Sequence, residues 1–145
     1  MLDRLSAPYL DESHHAFRDI CLRFAAEEIA PFATEWEEAH TFPRELYYKA
    51  AEAGVLAPSF PEQYGGGGGD VFHGVVAGEA LIRGGSTGAL VGMCSMNIAL
   101  PPLLALGTDE QKQRLIPPVL SGDKICALAI TEPGTGSDVA GVRTR

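Results

Sequence analysis

The residues best suited to chemistry lie close together in one segment, Ile130-Thr131-Glu132-Pro133-Gly134-Thr135-Gly136-Ser137-Asp138. A proline and two glycines force a turn whose backbone amides a large ligand can approach closely. Thr131, Thr135 and Ser137 add uncharged hydroxyls, which suit orienting a polar heterocycle or bonding a phosphate through neutral donors. Taken alone, the stretch also reads as a plain Ser/Thr/Gly-rich turn.

Other chemistries have less support. No serine sits in a G-x-S-x-G elbow, and no Cys or His pair has metal-ligand spacing. His14 and His15 are adjacent, so they point to different sides of a helix, and both are expected on solvated surface. His40 and His73 sit beside predicted helix ends and take no catalytic role. Glu79 is expected as a partly exposed carboxylate on a helix face. Five consecutive glycines, Gly65 to Gly69, invite a phosphate-cradle reading, but no strand precedes them, no G-x-G-x-x-G register fits and no Gly-Lys-Ser/Thr follows. They are expected to form a flexible or close-packed turn.

The elements that must position these groups are mostly helical. From Asp11 to Ala30, Phe17, Ile20, Cys21, Phe24, Ala25 and Ile29 recur at helical spacing with charged residues between them. Pro31 should kink or restart that helix before it runs on to about Ala39. Pro43 and Gly54 bracket a second helix, and Asp70 caps a third from Val71 to about Arg83, stopped by Gly84-Gly85. Thr87 to Leu106 reads as a central helix buried on most sides, with Pro101 and Pro102 kinking it. Thr108 to Gln111 forms a capping box for a short helix that stops by Pro117. Beyond the Ser121-Gly122-Asp123 turn, the apolar run from Ile125 reads as a buried strand reaching Thr131. Fold class is therefore mainly α, an orthogonal helical bundle followed by the first strand of a β domain. The domain border falls between residues 1–122 and 123–145.

With 145 residues, 46% of them hydrophobic, the chain has the size of one domain and enough apolar surface for a core. Lys and Arg number 11 against 19 Asp and Glu, a net charge of −8 without a basic cluster. That balance argues against nucleic acid or an anionic membrane as the main partner. No run of about 18 apolar residues is apparent, so no membrane span is expected. Met1 to Ser6 lack the pattern of a secretion signal, which makes the cytoplasm the expected location. Cys21, Cys94 and Cys126 are widely spaced and odd in number, as suits reduced, buried thiols.

The stretch Cys126-Ala-Leu-Ala-Ile-Thr-Glu-Pro-Gly-Thr-Gly-Ser-Asp-Val139 resembles the signature of the acyl-CoA dehydrogenase family. Pro61-Glu-Gln-Tyr-Gly-Gly66 resembles the family's loop between helices. Gly107-Thr-Asp-Glu-Gln-Lys112, with Leu115, Pro117 and Ser121-Gly122 after it, resembles the approach to the signature strand. The three motifs stand in the family's order over nearly the whole chain, although the glycine loop is longer in glycine than the usual pattern.

The resemblance implies FAD as cofactor and an acyl-CoA thioester as substrate, held between a helical N-terminal domain, a central β domain and a C-terminal helical domain. It implies abstraction of the α proton by a carboxylate and transfer of the β hydrogen to the flavin, giving a trans-2-enoyl-CoA. By position, Leu128, Ile130 and Thr131 would line the isoalloxazine, while Gly136 and Ser137 would contact the FAD pyrophosphate. Ser137 would also touch the CoA side, and Val91, Cys94 and Ser95 would floor the acyl pocket. No catalytic residue is assigned within this chain, since the family's base is expected beyond Arg145; an N-terminal fragment of a longer flavoenzyme is the reading. Electron-transfer flavoprotein is the implied electron acceptor, and a homo-oligomer the implied full-length state. The alternatives are an acyl-CoA oxidase or flavin monooxygenase of the same fold, or a non-catalytic stand-alone helical binding module.

Overall fold

The first helix, α1 (Glu12–Phe24), begins where Asp11 takes the backbone N–H groups of Ser13 and His14 on its carboxylate, at 2.9 and 3.3 Å. Residues 8–144 are described by a computed structural model of the chain; the Met1–Ser6 stretch read for a secretion signal lies outside them. The helical stripe continues as predicted, but its last turn, Ala25–Ile29, is a π turn closed by Ala30 N–H to the Ala25 carbonyl at 2.9 Å. The extra residue per turn keeps Ile29 fully buried, where it packs against Gly84 so closely that a Cβ there would stand 2.7 Å from the Ile29 side chain. Pro31 follows in a turn, and the chain restarts as α2 (Ala33–Ala39), ending on His40 in the left-handed conformation.

Helix α3 (Glu45–Glu52) carries Leu46, Tyr47 and Ala50 inward. The glycine run after it is a packed, hydrogen-bonded loop. Gly67, Gly68 and Gly69 donate their N–H groups to the carbonyls of Ala57, Phe60 and Pro58 at 2.8–2.9 Å. Those amides face protein, so they cradle no phosphate. A Cβ at Gly66 would lie 2.2 Å from the Phe60 carbonyl oxygen, and one at Gly67 2.8 Å from that of Pro58. Glycine is required there by the close approach of two chain segments.

Asp70 caps α4 (Val71–Leu81) as predicted, and a 3-10 turn to Gly84 ends it. Helix α4 packs on α1. Glu79 is exposed, in line with its reading as a helix-face carboxylate. His14 departs from expectation: it is 3% exposed, enclosed between α1 and the start of α4.

The predicted central helix is two helices, α5 (Thr87–Met93) and α6 (Met96–Leu106), broken at Cys94-Ser95 rather than at the prolines. Pro101 and Pro102 lie inside α6, where they withhold hydrogen bonds from carbonyls one turn back without ending it. The pair is buried on one side only, through Ala89, Met93, Met96 and Leu100, whereas Val91 and Ile98 are each 64% exposed and Leu106 is 87% exposed. By length and apolar composition Thr87–Leu106 would suffice to cross a membrane, contrary to the expectation of no such segment. The break and the inward-facing residues make it part of the helical core here.

Helix α7 (Asp109–Leu115) has the predicted Thr108–Gln111 capping box. Pro117 does not stop the helical chain but opens a further turn, α8 (Pro117–Leu120), a position where its missing N–H costs nothing. The expected strand over Ile125 to Thr131 does not form a ladder. The described residues contain only an isolated antiparallel bridge, Glu132 with Thr135. A strand exists through its partner, and no second extended segment lies beside this run among the described residues. The core joins Cys21, Phe24, Ile29, Leu46, Phe60, Leu81, Met96 and Ile116 from successive elements.

Candidate functional site

Two side chains help hold the start of the site segment to the helical body, beside the Lys124 N–H bond to the Pro118 carbonyl at 2.7 Å. Arg44 Nη2 donates to the carbonyls of Gly122 and Asp123, at 3.2 and 2.5 Å, and Ser95 Oγ donates to the Cys126 carbonyl at 3.0 Å. Gly122 turns there with a φ of 83°, and its lack of a Cβ lets it lie against Tyr47, whose carbonyl carbon a Cβ would meet at 2.9 Å. The α5–α6 break thus has a consequence: it places Ser95 outside regular helix, where its hydroxyl reaches the incoming segment.

From Ile125 the chain runs over the surface. Leu128 and Ile130 are 44% and 47% exposed, two residues apart, the spacing that puts side chains on one side of an extended chain. Thr131, Gly136 and Ser137 follow, all exposed. Between them a tight turn is closed by reciprocal backbone bonds of Glu132 and Thr135 at 3.0 and 3.1 Å. The Thr135 hydroxyl is used inside the loop, donating to the Asp138 carbonyl. Around Gly134 a Cβ would meet nothing within 4 Å, so that part of the backbone is open.

Glu132 is not free for chemistry. Its carboxylate accepts from the Arg143 N–H at 3.0 and 3.2 Å, the Thr144 N–H at 2.7 Å and the Thr144 hydroxyl. These donors, led by the Thr144 hydroxyl, hold its carboxyl below the usual range, which makes it a poor proton acceptor. Cys94 is half-buried, and burial raises its thiol, as it does at Cys126 and at Cys21, where the value is pushed up to about 12. All three thiols are free and of low reactivity.

The predicted residues therefore fall into two groups. Leu128, Ile130, Thr131, Gly136 and Ser137 form one exposed strip. Cys94 and Ser95 mark the helix break, with Val91 exposed one turn earlier, and the Ser95–Cys126 bond ties this second group to the root of the first. An exposed apolar pair followed by free neutral hydroxyls and open backbone fits a flat heterocycle bearing phosphate.

Sequence reasoning missed three features. Arg44 acts across 78 residues, and no local signal announces it. A cavity of about 490 Å³ lies beside Ile125, lined by Trp36, Glu37, Phe42, Arg44 and Tyr47, and no predicted site residue borders it. The third is the burial of His14. Its signal was available, because Asp11-x-x-His14 and Asp70-x-x-His73 both follow the capping-box pattern with histidine in the place of Glu or Gln.

The description "Acyl-CoA dehydrogenase, N-terminal domain" matches residues 11–123. The chain is 36% identical over 135 residues to the short-chain specific acyl-CoA dehydrogenase, mitochondrial, of Bos taurus, covering 93% of this chain and 33% of that protein. It is 40% identical over 131 residues to the long-chain specific acyl-CoA dehydrogenase, mitochondrial, of Rattus norvegicus, covering 90% and 30%. Among solved structures, an acyl-CoA dehydrogenase complexed with FAD from Bacillus anthracis superposes with a TM-score of 0.83 at 30% identity, covering 94% of this chain and 23% of that one. The chain spans about a third or less of the length of these proteins.

Proposed function

Because the chain belongs to the acyl-CoA dehydrogenase family through its N-terminal domain, we propose that it serves the FAD-dependent α,β-dehydrogenation of a fatty acyl-CoA thioester to a trans-2-enoyl-CoA. The observation that carries this reading is the exposed strip from Leu128 to Ser137, anchored at its root by the Ser95–Cys126 hydrogen bond. Bound there, FAD would supply the hydride acceptor, a chemistry no side chain offers. Leu128 and Ile130 give the ring an apolar face, and the Thr131 hydroxyl orients its polar edge. Gly136 leaves backbone open to the pyrophosphate, and Ser137 donates to it and to the CoA side. Val91, Cys94 and Ser95 line the acyl chain; relatives named for short and for long chains leave its length unassigned.

In this reading the α-proton base lies on polypeptide beyond Arg145, as the family resemblance implies, and Glu132 is committed to the amides of Arg143 and Thr144. Residues 1–122 form the helical domain and 123–145 the opening of a β domain. Electron-transfer flavoprotein takes the electrons, the assembly is a homo-oligomer, and the three free thiols suit a reducing compartment such as the cytoplasm.

The test is a longer polypeptide containing this chain, purified and assayed with FAD, acyl-CoA and an artificial electron acceptor. A yellow protein whose flavin bleaches on adding acyl-CoA, with enoyl-CoA as product, is expected. Ser137→Ala removes a hydrogen bond to a charged group, worth about 1.5–3 kcal/mol, so FAD affinity should fall roughly tenfold to hundredfold. A protein that takes up no flavin overturns the reading, and unchanged affinity in the variant removes Ser137 from the site.

A further inference from the structure

Each ring nitrogen of the buried His14 faces a carboxylate. Nε2 stands 3.0 Å from Asp70 Oδ1 at the start of α4, and Nδ1 stands 2.8 Å from Asp11 Oδ1 at the start of its own helix. His73, from the first turn of α4, lies with its ring centroid 4.3 Å from that of His14 and its Nδ1 2.9 Å from the same Asp70 oxygen. Asp11, Asp70 and His73 are thus the titratable groups against the His14 ring, from α1 itself and from the α4 packed on it.

A neutral imidazole has a single N–H and serves only one of two acceptors. The Asp11 N–H donates to His14 Nδ1 at 3.0 Å, so the neutral ring carries its proton on Nε2 and gives it to Asp70. Its Nδ1 lone pair then lies beside the Asp11 carboxylate, with the Asp11 N–H as compensation. A proton added at Nδ1 reverses this balance. The imidazolium donates from Nε2 to Asp70 and from Nδ1 to Asp11, two charge-assisted bonds in place of one neutral one, while the N–H of the exposed Asp11 passes to water. Both carboxyls are held below their ordinary 3.8, Asp11 by the Ser13 hydroxyl first and Asp70 by the His14 and then the His73 hydrogen bond. The two acceptors therefore stay anionic through the neutral range.

We propose that His14 is a proton-operated clasp between α1 and α4: mildly acidic solution closes it as an imidazolium shared by two carboxylates, and loss of the Nδ1 proton relaxes it to one neutral link. The capping boxes at Asp11 and Asp70 belong to separate helices, and His14 is the side chain that joins them. The Asp70 hydrogen bond, against the effect of burial and with the Asp11 charge, holds the His14 imidazole above its ordinary 6.5. A base raised on folding adds stability that is fully present below its unfolded value and is lost as pH rises through the folded one. The clasp therefore loosens toward alkaline pH.

The experiment is an NMR titration of the imidazole nitrogens in the isotope-labelled chain, paired with urea unfolding of the parent and of His14→Gln at about pH 5.5 and about pH 8.5. Gln at this position can still close the capping box at Asp11, so α1 keeps its start. His15, His40 and His73 are present in both proteins and cancel in the difference. The His14 midpoint should exceed 6.5, with Nδ1 the nitrogen that titrates and Nε2 protonated throughout. The stability gap between parent and variant should be wider at the lower pH, by about tenfold in the unfolding constant for each unit by which the midpoint exceeds 6.5. Asp11→Asn and Asp70→Asn keep a capping side chain without its charge, and each should lower the midpoint. A midpoint at or below 6.5, a gap that is constant or widens as pH rises, or a midpoint unmoved in both Asn variants overturns the clasp.

Discussion

At Glu37 a single carboxylate oxygen accepts from the Ser86 hydroxyl at 2.7 Å and the Gly88 N–H at 3.0 Å, joining α2 to the start of α5. Ser86 is itself 1% exposed and caps α5 through the Ala89 N–H, so the carboxylate reaches into an otherwise closed contact. The Ser86 hydrogen bond first, and the Gly88 bond next, hold the Glu37 carboxyl below its ordinary 4.5. A carboxyl lowered on folding adds stability that is present above the unfolded value and is lost as pH falls through the folded one. Glu37→Gln should therefore unfold at lower urea than the parent at neutral pH, and the gap should close as the solution is acidified below 4.5. A gap that stays constant with pH would show that shape rather than charge matters there. Ser95→Ala is the companion test. Loss of the bond to the Cys126 carbonyl should cost about 0.5–1.5 kcal/mol and speed amide exchange in residues 125–131 without changing helix content.

The elements show which sequence signals travel. Caps, glycine stops and 3.6-residue stripes are local, so α1, α4 and α7 stand where Asp11, Asp70 and Thr108 announce them. The break at Cys94-Ser95 carries no Gly or Pro to announce it, and the prolines that do stand in this stretch lie inside α6. The apolar run at Ile125 carries a strand's composition but acquires no ladder, because pairing belongs to two segments and only one is present among the described residues. The exposed strip was legible through its residue types and family likeness, whereas its anchors, Arg44 and Ser95, depend on chain segments far apart. Gly66→Ala tests the element that looked most like a flexible linker. With the Phe60 carbonyl 2.2 Å from the new Cβ, the loop must move, and overpacking of this kind costs about 1–3 kcal/mol. A fall in urea midpoint of that size is expected, whereas a truly slack loop would show none.

Across the whole molecule, the helical body is closed and the strip from Leu128 to Ser137 faces water, so a ligand on this chain alone would be covered from one side. Small-molecule sites hold their ligands by burying most of the surface, and a strip without an opposing wall cannot exclude solvent. Removing the α proton of a thioester further requires a base set at hydrogen-bond distance, and correct placement can be worth about 7–11 kcal/mol of barrier. Among the described carboxylates, Glu79 stands on α4, away from the strip in the chain, and Glu132 is held by the Arg143 and Thr144 amides with its carboxyl lowered. Asp138 is exposed, and its backbone carbonyl serves the Thr135 hydroxyl within the loop. The 145-residue chain incubated with excess FAD, an artificial electron acceptor and octanoyl- or palmitoyl-CoA should therefore show no turnover above a heat-denatured control and should release FAD on gel filtration. Turnover in that assay would require a base on this chain, and Glu132→Gln and Asp138→Asn would identify it by abolishing the rate while leaving the helical spectrum intact.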